Sequence, residues 1–164
     1  MDIEYRSFSD KRGLYAYIHE QLRHITRETD DITAVLANTS ALLMLELKDV
    51  NWAGFYLYKN GRLVLGPFQG KPAVAGIEMG RGVCGTAAQT LETQLVEDVH
   101  SCCNHIACDA ASKSEIVVPV LLGDGTLYGV IDIDSPVFSR FDAEDRTGLG
   151  KAAGILSDYL QKAR

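Results

Sequence analysis

Cysteine is absent from the first half of this 164-residue chain, and the four present, Cys84, Cys102, Cys103 and Cys108, include no C-x2-C pair. So few and so clustered, they exclude a disulfide-stapled secreted scaffold. They also lack the two well-spaced ligand pairs of a structural zinc site, although His100 and His105 lie among them. No metal is therefore expected. Long apolar runs are missing too: none approaches the ~20 residues of a membrane span. The acidic start, Met1-Asp2-Ile3-Glu4-Tyr5, lacks the layout of a secretory signal, so the cytoplasm is the default expectation. Positive charge is in deficit, with 16 Lys+Arg against 22 Asp+Glu and a net charge of −6. That balance argues against a nucleic-acid backbone or an anionic membrane as partner. There is no P-loop, no glycine-rich dinucleotide fingerprint, no internal repeat and no linker.

What is present fits one folded domain of ordinary composition, 46% apolar and 23% charged. Residues 10–47 read as two helices. Leu14, Tyr17, Ile18, Leu22 and Ile25 recur at spacings of three and four, and Asp30-Asp31 can cap the second helix. Ile32, Val35, Leu36, Leu42, Leu43, Met44, Leu45 and Leu47 give that helix a broad apolar stripe. The period then changes. Residues 50–58 are aromatic and branched and suit a strand, with Trp52, Gly54 and Tyr56 on one face. After a turn at Lys59-Asn60-Gly61, residues 62–66 return, and another short strand runs through Ile77. A small-residue helix follows over residues 83–90, then a short strand at 94–96. Residues 97–114 have no clear period and read as a long loop, with a helical turn around 109–112. Residues 115–122 and 126–134 form the strongest strand pair, and Asp142 caps a closing helix that buries Leu149, Ala152, Ala153, Ile155, Leu156 and Leu160. This order favours an α+β fold: an antiparallel sheet with terminal helices on one face and a loop-roofed pocket on the other.

The strand pair carries the first chemical expectation. If Asp124-Gly125 is a two-residue turn, Glu115 stands opposite Asp134 and Val117 opposite Asp132. Glu115, Asp132 and Asp134 then crowd one face, and one of them should hold its proton unusually tightly. Such a group can donate a proton near neutral pH, or the cluster can grip an ammonium group; solvated acids flanking a hairpin are the plain alternative, and a divalent metal held by carboxylate oxygens alone is another. Two large aromatics on one strand face, Trp52 and Tyr56, fit a core more readily than a cage for a cationic or polarizable group. Cys84 opens a helix, where the macrodipole favours a thiolate. By spacing alone, Cys84 and Cys108 are core thiols nearly as readily as a redox couple.

Several runs resemble the free methionine-(R)-sulfoxide reductases, which are single GAF domains. They are Asn51-Trp52-Ala53-Gly54-Phe55-Tyr56, Gly66-Pro67-Phe68-Gln69-Gly70-Lys71-Pro72-Ala73, Gly80-Arg81-Gly82-Val83-Cys84-Gly85-Thr86-Ala87, His105-Ile106-Ala107-Cys108-Asp109, Ser114-Glu115-Ile116-Val117-Val118-Pro119 and Ile131-Asp132-Ile133-Asp134-Ser135-Pro136. The resemblance spans nearly the whole chain, residues 1–164 being one domain. It implies Cys108 as catalytic thiol, Cys84 as resolving thiol, and Trp52, Tyr56, Glu115, Asp132 and Asp134 as the substrate pocket. It further implies free methionine sulfoxide as substrate, no bound cofactor, external thioredoxin as reductant and a homodimer. There are two departures from the family's pattern: Val74 stands where many members have a further cysteine, and Cys102-Cys103 stand where the family usually has an aromatic or Pro-Gly type loop. A GAF module that binds a ligand, or senses redox state without turnover, is the alternative.

Overall fold

The computed structural model describes residues 8–101 and 111–163. Helix α1 (Lys11–Glu28) starts at Asp10, whose carboxylate accepts the Gly13 N–H at 2.8 Å. Helix α2 (Ile32–Glu46) is capped by Asp31, which accepts the Ala34 N–H at 2.9 Å. Of the Asp30-Asp31 pair, only the second serves as the cap. The α2 stripe is narrower than its sequence suggests, because Leu45 is exposed while Leu42 and Leu43 are buried.

Six strands follow: β1 (Trp52–Lys59), β2 (Arg62–Gly70), β3 (Gly76–Glu78), β4 (Gln94–Val96), β5 (Ser114–Leu121) and β6 (Leu127–Ser135). Helix α3 (Gly82–Thr90) lies between β3 and β4, and helix α4 (Ala143–Lys162) ends the fold. The strands form one sheet of order β3-β2-β1-β6-β5-β4 with every neighbouring pair antiparallel. β2 runs to Gly70, four residues beyond the expected return strand. Within the irregular stretch, the described part forms a 3-10 turn at Val99–Ser101. The helical turn anticipated at 109–112 falls partly outside the described residues.

The period-two pattern sorts the sheet into two faces. Ala53, Phe55, Ile116, Val118, Val120, Ile131 and Ile133 pack with α1, α2 and α4 into the main core. Each fully buried Ile or Phe of this layer contributes about 1.5–3 kcal/mol. α4 begins with a reciprocal capping box in which Asp142 accepts from Asp145 N–H and the Asp145 carboxylate accepts from Asp142 N–H. Ile155, expected on its buried side, is only partly buried. The opposite face holds a smaller cluster that includes Trp52, Tyr56, Val83, Cys84, Val117 and Val130, with α3 laid across it. The roof over this face is therefore helical in part. Among the described residues no helix is long and apolar enough to cross a membrane.

Candidate active site

Strand register assembles the site in rows that run across the sheet. Trp52 pairs with Asp134 on β6, and Asp134 pairs with Glu115 on β5. One step along, Gly54 pairs with Asp132, and Asp132 with Val117. Directly opposed residues share a face, so the three carboxyls and both aromatics point to the same side. The hairpin register expected from the sequence is thus the one observed at the acids.

The route to it differs. The Leu122 N–H bonds to the Thr126 carbonyl at 2.8 Å, which leaves three residues, Gly123 to Gly125, in the loop, with Gly125 at φ +82°. That loop places Leu121 opposite Leu127, one residue off the expected pairing, and the shift between Val120 and Leu121 inserts Tyr128 as an extra residue on β6. The bulge restores the register before the strands reach Asp132 and Asp134.

Helix α3 brings the thiol. Its approach depends on Gly85, where a Cβ would lie 2.4 Å from the Glu78 carbonyl oxygen. Cys84, in the first turn, points its S–H toward Glu115 Oε1 at 4.0 Å. The helix start thus presents Cys84 to the carboxyls of Glu115 and Asp132.

All six residues are nearly closed to solvent. Trp52 and Tyr56 are 0% exposed, Asp132 1%, Asp134 2%, Cys84 3% and Glu115 5%. Burial holds the Glu115 carboxyl well above the usual carboxylate range; the charge of Asp134 adds to this, and an interaction with Asp132 offsets part of it. Burial likewise raises Asp132, reinforced by the charge of Glu115. Neither oxygen of Asp132 completes a hydrogen bond of ordinary geometry among the described residues.

The aromatic wall has a third member that the sequence did not disclose. Phe68 stacks on Trp52 with ring centres 5.2 Å apart and planes 13° from parallel, while Tyr56 lies 6.0 Å from Trp52 on a 22° inclination. Gly54 makes room for it, since a Cβ there would sit 2.3 Å from the Phe68 Cβ. A glycine inside a strand often marks such a close approach, and that was the available signal. The polar ends of the pair are engaged as well. Trp52 Nε1–H donates to the Lys71 carbonyl at 3.1 Å, and the Tyr56 hydroxyl donates to the Val74 carbonyl at 2.9 Å. Both hold down the segment 71–75, in which Val74 itself is exposed.

The GAF domain family matches residues 29–161. The chain is 49% identical to the free methionine-R-sulfoxide reductase of Escherichia coli over 151 residues, covering 92% of this chain and 91% of that protein. It is 49% identical over 129 residues to the yeast (Saccharomyces cerevisiae) protein of the same name, covering 74% and 72%. The Neisseria meningitidis free methionine-R-sulfoxide reductase, solved in complex with its substrate, superposes with a TM-score of 0.92 at 42% identity, covering 99% of this chain and 97% of that one. This chain belongs to the free methionine-R-sulfoxide reductase family.

Five expected pocket residues of this reductase chain, Trp52, Tyr56, Glu115, Asp132 and Asp134, stand together with Cys84 on one sheet face. Cys108, Cys102 and Cys103 lie outside the described residues. An open groove between α1 and α4, lined by Lys11, Tyr15, His19, Glu144 and Gly148 among others, belongs to the helix layer and contains no thiol.

Proposed function

We propose that this chain reduces free L-methionine-(R)-sulfoxide to L-methionine with its own cysteine thiols. The observation that carries this reading is the burial of Glu115, Asp132 and Asp134 on one patch beside Trp52 and Cys84. Three carboxyls crowded together away from solvent are costly, and the ammonium of a free amino acid offsets that cost. A methionine residue inside a peptide has an amide there instead, so the same acids select against it. The methionine side chain packs on the wall of Trp52 and Tyr56. The R epimer comes from the family relationship.

In the first half-reaction the Cys108 thiolate attacks the sulfoxide sulfur, and the S–O bond breaks as oxygen is transferred. The Glu115–Asp132 pair, which burial keeps protonated toward neutral pH, supplies the proton to the departing oxygen. Methionine leaves, and Cys108 becomes a sulfenic acid. In the second half-reaction the Cys84 sulfur attacks that sulfenic acid, and water departs as the disulfide forms. Glu115, facing the Cys84 thiol at 4.0 Å, is placed to accept its proton. That proton passes on to the hydroxide of the sulfenic acid, which leaves as water, and the carboxyl is reprotonated from solvent before the next turnover. A dithiol of thioredoxin type reopens the disulfide, delivering two electrons. No bound cofactor enters the cycle.

The test is methionine release from the separate R and S epimers of free methionine sulfoxide, with thioredoxin and its reductase. Wild type should release methionine from R only; Cys108→Ser should release none, and Cys84→Ser about one equivalent before stalling. No release from either epimer would replace this reading with a ligand-binding or redox-sensing GAF module.

A further inference from the structure

Cys84, Glu115 and Asp132 come from three separate elements, α3, β5 and β6, and one donor atom from each lies within 4.8 Å of the other two. All three side chains are buried. Asp132 adds an independent observation: it is 1% exposed, and both its oxygens lack a hydrogen bond of ordinary geometry among the described residues. A buried acid in that condition is stabilised by holding its proton or by exchanging it for a cation.

We infer that Cys84, Glu115 and Asp132 form a binding site for a thiophilic divalent cation, zinc being the chemical type, that blocks the thiol cycle reversibly. The donor set decides the metal. One sulfur and two carboxylate oxygens suit a borderline-soft ion. Calcium and magnesium require six or more oxygens or several retained waters, which this buried cluster does not supply. Zn–S and Zn–O bonds of about 2.3 and 2.1 Å place donors about 3.5 Å apart, so donors already within 4.8 Å of one another draw together modestly on binding. Charge favours the same outcome. A thiolate and two carboxylates repel one another, and a 2+ ion cancels two of their three negative charges. Binding releases the thiol proton and any proton on the two acids, so affinity rises with pH.

The blockade follows from the residues used. A metal on Cys84 removes the sulfur proposed to resolve the sulfenic acid, and a metal on the acids takes the place of the substrate ammonium. Only this competition with substrate rests on the reductase reading; metal binding itself does not.

The probe is cobalt(II), added without oxygen to the full chain carrying Cys102→Ser, Cys103→Ser and Cys108→Ser, so that Cys84 is the one remaining thiol. A thiolate-to-cobalt absorption band should saturate at one ion per chain and bleach when zinc is added. In the same background Asp132→Asn and Glu115→Gln should each weaken cobalt binding by about tenfold or more. Circular dichroism of each variant guards against misreading an unfolded protein. Absence of the band in the folded triple variant, or a band equally strong in folded Asp132→Asn and Glu115→Gln, overturns the site. Free methionine-(R)-sulfoxide should displace the cobalt. A band that forms but resists the sulfoxide supports the metal site and counts against the pocket reading. Methionine release by chelator-treated wild type tests that reading separately.

Discussion

Glu115 and Asp134 face each other as a directly opposed pair on adjacent antiparallel strands, 5% and 2% exposed. Natural sheets rarely place two acids so, because like charges opposite one another destabilise the pair. The arrangement is therefore costly to the empty fold, and its cost varies with pH. In the folded chain Glu115 and Asp132 hold their protons above the ordinary carboxylate range. The unfolded chain releases them near pH 4. Between those two points the folded state binds more protons than the unfolded one, so stability falls as pH rises.

Replacing Glu115 by Gln should therefore stabilise the free protein at neutral and alkaline pH. Every tenfold weakening of the acid in the fold corresponds to about 1.4 kcal/mol. In a chain of this length, each kcal/mol is about 2–4 °C of melting temperature. We expect Glu115→Gln to melt at least ~2 °C above wild type at pH 8. The difference should vanish as pH falls below about 4. Calorimetry across pH is the check, and a Gln variant that melts lower at pH 8 contradicts the burial argument.

The same substitution should damage activity in the opposite sense. If the Glu115–Asp132 pair donates the proton to the sulfoxide oxygen, Glu115→Gln lowers kcat by about 10²–10⁴. Wild-type kcat should fall on the alkaline side, as the pair loses its proton, and that limb should change shape in the variant. An unaltered pH profile in a folded Glu115→Gln enzyme would assign the proton to another group.

Phe68 should act through Trp52. Its ring stacks on the indole at 5.2 Å, and contacts of this kind are worth about 0.5–1.5 kcal/mol beyond simple burial. Phe68→Leu keeps most of the volume and loses the ring stack. Its KM for free methionine sulfoxide should rise about 2- to 12-fold while kcat changes less. Steady-state kinetics separates the two, and an effect confined to kcat would remove Phe68 from the wall.

Helix α4 offers a packing test away from the site. A Cβ at Gly148 would meet the Tyr15 ring at 2.3 Å, whereas at Gly150 and Gly154 it would meet nothing within 4 Å. Gly148→Ala should cost about 1–3 kcal/mol through overpacking. Gly150→Ala and Gly154→Ala should each add about 0.5–1 kcal/mol, the ordinary gain of alanine in a helix interior. Urea denaturation of the three variants measures all of these.

The faces of β1, β5 and β6 were legible because strand periodicity depends only on alternation, which the sequence displays. The hairpin turn was not. Asp124-Gly125 looks like a two-residue turn, yet the chain uses three loop residues and recovers the register with Tyr128. Nothing local distinguishes a bulged Tyr from a paired one. Glu115 and Asp134 pair as the two-residue turn would have them because two one-residue irregularities cancel. Phe68 was hidden for a related reason: its role comes from lying across the strand from Gly54. Cys84 was readable as a helix-start thiol, but its surroundings come from residues 31 and 48 positions further along the chain.

The indole of Trp52 is the only one in the molecule, it is fully buried, and it sits in the same row of the sheet as Asp134 and Glu115. Fluorescence excited at the red edge, where tyrosine does not absorb, is for that reason a signal from this pocket alone. Emission should start at the blue end of the tryptophan range, as a dry indole dictates. Carboxyl ionisation, substrate binding or metal entry would each shift it, so occupancy of the pocket can be followed by light in the unmodified chain.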